Sequence, residues 1–85
     1  MDKQTYEYFI LRIIRNEEFD FEYKGTIYSI VHNPPYVYLG RNVSIANHTY
    51  KTEKFEPYAS TFELLDKFTI EGKKIEEIWQ DITMC

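Results

Sequence analysis

Phe19-Asp20-Phe21-Glu22-Tyr23-Lys24-Gly25-Thr26-Ile27-Tyr28-Ser29-Ile30 decides the fold. Phe19, Phe21 and Tyr23 alternate with Asp20, Glu22 and Lys24, the period of a half-buried strand. Lys24-Gly25 reads as a turn, because glycine reaches the positive φ that a tight hairpin needs. Thr26 to His32, rich in β-branched and aromatic residues, returns as a second strand. A two-residue loop pairs Tyr23 with Thr26 and Phe21 with Tyr28, and puts Phe19, Phe21, Tyr28 and Ile30 on one face. A bulged turn would instead send Ile27 and Val31 inward. Both registers stay open at this level.

Upstream, the period is that of a helix. Tyr6, Phe9, Ile10, Ile13 and Ile14 stack on one side, with Asp2 placed to cap the first turn and Asn16 to stop the last. Downstream, Asn33-Pro34-Pro35 interrupts the sheet, since neither proline can donate a ladder hydrogen bond. Tyr36 to Leu39 is a third strand ending at Gly40. Residues 41–57 are ambiguous: Val43 and Ile45 could form a fourth short strand and Tyr50 to Phe55 an edge segment, or the whole could be a polar loop. Ser60-Thr61-Phe62-Glu63 fits a capping box for a second helix, with Phe62, Leu65 and Phe68 as its stripe. Ile75, Ile78, Trp79 and Ile82 predict a third helix over 73–82. The expected fold is α+β: an N-terminal helix, an antiparallel β-meander of three to four strands, and two short C-terminal helices packed on the sheet.

The 85 residues suffice for one small domain spanning 1–85. Eight Tyr, six Phe and one Trp supply the area with which so short a chain closes a core. The net charge of −4 and the lack of a basic stripe speak against direct nucleic-acid binding. The charge is uneven: residues 1–40 carry 4 basic and 6 acidic side chains, 41–56 carry 3 and 2, and 57–85 carry 3 and 6. The longest apolar run, Phe9-Ile10-Leu11, is far too short to span a membrane, and residues 1–5 show no export signal. A cytoplasmic chain is the expectation.

Catalytic constellations are thin. The lone Cys85 is terminal, Ser60 is accounted for as a cap, and no Gly-x-Ser-x-Gly elbow is present. His32 and His48 could meet and hold a metal with a carboxylate, but their spacing matches no ligand motif. Asp20 and Glu22 share a strand face, where repulsion could raise one pKa, yet no neighbouring residue completes an acid–base mechanism. The glycines are too far apart to cradle phosphate. The expectation is a non-enzyme without metal or cofactor.

Contact residues are more plentiful. Tyr36 and Tyr38 point the same way on the third strand, and Tyr50 and Tyr58 flank the ambiguous segment. Exposed tyrosine offers contact area at low entropic cost. These four rings, with Asp20 and Glu22 as an acidic complement to a basic partner, form the predicted binding residues.

The hairpin over 19–30, together with Thr61-Phe62-Glu63-Leu64-Leu65-Asp66-Lys67-Phe68 and Ile70-Glu71-Gly72-Lys73-Lys74-Ile75-Glu76-Glu77-Ile78-Trp79, resembles small uncharacterised proteins of Firmicutes and their phages. About half of the chain is covered and residues 31–60 are left out. The matched residues concern packing and turns, so the resemblance implies a fold and a phage or mobile-element origin, with no functional residues to carry over. On that basis the expected function is binding to a protein partner, as a host-directed inhibitor or accessory factor. The alternatives are an acidic nucleic-acid mimic that blocks a DNA- or RNA-processing enzyme and, behind it, a small hydrolase or metal protein. Homodimerisation through an edge strand is a further option.

Overall fold

A computed structural model describes residues 1–46 and 49–84, with side chains described except at 43–46, 49–51 and 53. Helix α1 (Lys3–Ile14) is followed by strands β1 (Phe19–Tyr23), β2 (Thr26–Asn33), β3 (Tyr36–Ala46) and β4 (Thr49–Tyr58). Then come α2 (Thr61–Lys67), the short strands β5 (Thr69–Ile70) and β6 (Lys73–Lys74), the single turn α3 (Ile75–Ile78), a 3₁₀ turn Trp79–Asp81, and β7 (Ile82–Met84). The main sheet is antiparallel in the order β4-β3-β2-β1-β7, and β5 and β6 form a separate ribbon.

The N-terminal helix forms as its spacing predicts. The Asp2 carboxylate accepts from the Thr5 amide at 2.7 Å. At the other end Asn16 takes φ 64°, with the Glu17 amide bonded to the Arg12 carbonyl and the Asn16 amide to that of Ile13. That is a Schellman closure in which Asn replaces the usual glycine. The buried stripe is narrower than the spacing suggests: Phe9 and Ile13 are fully buried while Ile14 is half exposed. Phe9 drives edge-on between Phe19 and Phe21, with ring centroids 5.4 and 5.5 Å apart, and so locks α1 to β1.

The β1–β2 hairpin adopts the two-residue register, with Tyr23 opposite Thr26 and Phe21 opposite Tyr28. Phe19, Phe21, Tyr28 and Ile30 are all buried on the helix side. A bulged register would have exposed these rings, so burial selects between the two.

Three expectations need correction. The meander holds more than three to four strands, because β3 continues through Gly40 to Ala46, β4 is ten residues long, and β7 joins the opposite edge. The third helix does not run over 73–82. Glu71 and Gly72 both take positive φ, turning Lys73-Lys74 back along Thr69-Ile70. Ile75 and Ile78 then share one helical turn, and Ile82 enters a strand opposite Tyr23. The spacing that mimics a long helix is met instead by a helical turn that buries Ile75 and Ile78, a 3₁₀ turn, and a strand that buries Ile82. Third, the stripe of α2 is misphased. Steps of three residues fall about 60° short of a full revolution, so Phe62 and Phe68 cannot share a face. Leu64 is the fully buried residue, flanked by Leu65 and Phe68, and Phe62 is 76% exposed.

The second helix is otherwise capped as expected at Ser60, whose Oγ accepts from the Glu63 amide at 3.1 Å. The reciprocal bond differs by one residue: the Glu63 carboxylate accepts from the amide of Ala59 rather than that of Ser60. The three helices lie on one side of the sheet, and the core fills the space between. No helix among the described residues is long and apolar enough to cross a membrane.

Candidate interaction surface

Residues directly opposite in an antiparallel sheet share a face, so the register maps the side of the sheet that carries no helix. One row across it reads Asp20, Ser29, Gly40, Phe55, from β1 to β4. Beside it run Val31, Tyr38 and Pro57 on one side, and Asn42 with Thr52 on the other. Glu22 lies between Thr83 of β7 and Ile27 of β2.

A directed hydrogen-bond chain crosses four strands here. Thr52 donates its hydroxyl to Asn42 Oδ1 at 2.6 Å, Asn42 Nδ2 donates to Ser29 Oγ at 2.9 Å, and the Ser29 hydroxyl donates to Asp20 Oδ1 at 2.7 Å. Every proton points towards the carboxylate, so Asp20 terminates the chain as an acceptor. Ser29 is the one buried polar residue of the described set, and its hydroxyl is satisfied on both sides.

Gly40 makes the arrangement possible. A Cβ at this position would stand 2.5 Å from Thr52 Cγ2, 2.9 Å from the Lys54 carbonyl oxygen and 3.0 Å from Phe55 Cδ1. The register of β4 also slips between the partners of Gly40 and Asn42. That bulge returns Thr52 to the same face as Phe55, three positions away, where strict alternation would oppose them. A shallow depression of about 570 Å³ adjoins it, lined by Asp20, Ser29, Val31, Thr52 and Phe55 of this face and also by Arg12 of α1 and Glu18 of the α1–β1 connection.

Of the predicted binding residues, four come together on this face. Asp20 and Glu22 stand exposed on β1, and Tyr36 and Tyr38 on β3 meet edge-to-face at 6.2 Å, with Tyr36 44% exposed. Tyr58 does not join them. It lies opposite Val37 on the helix side, half-buried against the core, where desolvation raises its pKa. The side chain of Tyr50 falls outside the described residues. Ser29, Asn42, Thr52 and Phe55 are not among the predicted residues; alternation along β2 could have signalled Ser29, but Asn42 and Phe55 lie in the ambiguous segment 41–57 and Thr52 is placed by a bulge with no such signal.

His32 is half-buried on the helix side, opposite Val37; its backbone amide donates to Glu18 Oε2 at 3.0 Å, while Nε2 is buried without a partner. Its predicted companion His48 lies outside the described residues, as does Cys85. Among the described residues no group of three metal-ligating side chains converges. Compared with known proteins, the sequence matches no family model, no curated protein and no solved structure.

Proposed function

We propose that this chain is a non-catalytic binding module that applies the helix-free side of its sheet to a protein partner bearing basic side chains. The observation that supports this reading is the composition of that side: exposed aromatic groups on β3 and β4 beside two exposed carboxylates on β1. Among the described residues the strand register sends no lysine or arginine to this face, and Arg12 of α1 reaches the depression beside it. Arginine suits such a surface, because its guanidinium stacks on tyrosine and pairs with carboxylates. Action as a host-directed inhibitor or accessory factor of mobile-element type rests on the resemblance of residues 19–30, 61–68 and 70–79 alone.

The test compares capture of partners by wild-type protein, Tyr36→Ala/Tyr38→Ala, and Phe62→Ala as a variant on the opposite side. A partner identified from the first is then purified and its affinity measured against all three. Selective loss with the tyrosine pair supports the reading; equal affinity for all three proteins rejects it.

A second reading, an acidic nucleic-acid mimic, draws on Asp20 and Glu22 standing side by side. It separates cleanly from the first. A mimic would lose binding steeply with salt and on Asp20→Asn/Glu22→Gln, yet tolerate the tyrosine substitutions.

A further inference from the structure

Beside the tip of the β1–β2 hairpin lies a second cavity, of about 340 Å³. Two hairpin tips form its rim. Lys24-Gly25 joins β1 to β2 and Glu71-Gly72 joins β5 to β6, and all four residues take positive φ. Turns of this kind usually place Asn or Asp before the glycine. Here Lys and Glu hold the strained position, and their side chains meet at 3.5 Å across the gap between the two tips.

The walls are rich in hydrogen-bond donors. Among the described residues lining it, Lys24 and Arg41 contribute cations and Glu71 a carboxylate, and Thr26 and Thr69 add hydroxyls. Tyr28 lines the same hollow while being only 7% exposed as a residue. Burial holds this phenol above its ordinary pKa range, so it keeps a proton to donate.

We infer that this hollow binds a small oxyanion group, phosphate or carboxylate, through the Lys24 ammonium, the Arg41 guanidinium and the Tyr28 hydroxyl. The volume lies near the lower end for ligand pockets, which suits a single charged group rather than a nucleotide. Arg41 has an interaction of its own within the protein, and its five N–H donors allow it a second partner. Within the protein Glu71 pairs with Lys24. The arriving oxyanion takes over that pairing, and Glu71, which is exposed, turns to solvent.

The test is titration of the ¹⁵N-labelled full chain with sodium phosphate and, separately, sodium acetate, at constant ionic strength set by chloride. Saturable amide shifts at Lys24, Thr26, Tyr28, Arg41 and Thr69 are expected, and the tighter of the two anions identifies the source of the group. Lys24→Gln and Tyr28→Phe should each weaken binding by about ten-fold. Glu71→Gln removes the internal competitor and should tighten it by about three-fold. Lys24 and Glu71 are exposed, so their variants fold as the parent does. Shifts that never saturate with either anion, that chloride alone reproduces, or that Lys24→Gln and Glu71→Gln both leave unchanged would overturn the assignment.

Discussion

Gly40 and Ser29 show how single residues set the character of the open sheet face. Gly40 has ordinary backbone angles, so its requirement is steric: the side chains of Thr52 and Phe55 and the carbonyl of Lys54 occupy the space a methyl would need. Gly40→Ala is expected to cost about 1–3 kcal/mol, since a backbone carbonyl cannot swing aside as a side-chain tip can. The shift in urea midpoint measures it, and an unchanged midpoint would show that β4 gives way freely. Ser29→Ala breaks the hydrogen-bond chain at its centre, leaving the Asn42 amide without its acceptor and Asp20 without its donor. A loss of about 1–2 kcal/mol follows from the desolvation of those groups. The strand position of Ser29 could be read from the alternation around it. Its partners could not: Asn42 lies in the segment the residue pattern leaves ambiguous, and Thr52 reaches Asn42 only through a bulge that no residue pattern announces.

The local elements were the most legible, since caps and turns are written in adjacent residues. Asp2, Ser60 and Lys24-Gly25 act as their chemistry requires. Elements decided by distant contacts were not: β7 exists because Ile82 to Met84 find the free edge of β1, and nothing within 73–84 tells a strand from the end of a helix. The second helix offers a direct check of phase. Leu64→Ala should cost about 2–5 kcal/mol by opening a cavity, whereas Phe62→Ala should stay within about 0.5 kcal/mol. The reverse order in thermal denaturation would restore the Phe62 stripe. The same helix carries a pH response. The bond from Lys67, and then that from the Ala59 amide, hold the Glu63 pKa below the ordinary glutamate value. A lowered native pKa means that the charged form stabilises the fold. That contribution is complete above the ordinary glutamate range and disappears as pH falls through the lowered native value. Glu63→Gln should therefore flatten the acid limb of a stability–pH profile and leave its slope near neutrality unchanged.

At the level of the whole molecule, the two sides of one sheet have different tasks. The helices cover one side with α1, α2 and α3, and the other side keeps the residues proposed for contact. Alternation placed Asp20 with Glu22 and Tyr36 with Tyr38, because a strand sends every second residue the same way, and the register through β2 puts the two pairs on one face. It failed for Tyr58, whose side follows from a pairing with Val37 that lies across the ambiguous segment. The fold also bears on self-association. A sheet in the order β4-β3-β2-β1-β7 has two free edges, and an open edge invites pairing with a second copy. The β7 edge offers only three residues. The β4 edge is longer, but its register is irregular at two places, Pro57 lacks an amide proton, and Lys54 and Glu56 form an exposed ion pair at 3.2 Å. Twist, a missing donor and charge are the devices by which edges resist addition. The chain is therefore expected to sediment as a monomer across a concentration series. A concentration-dependent dimer whose β4 amides gain hydrogen-exchange protection would show instead that these features fail to guard the edge. Pro57→Val, which restores the donor, is the variant expected to move the equilibrium towards that dimer.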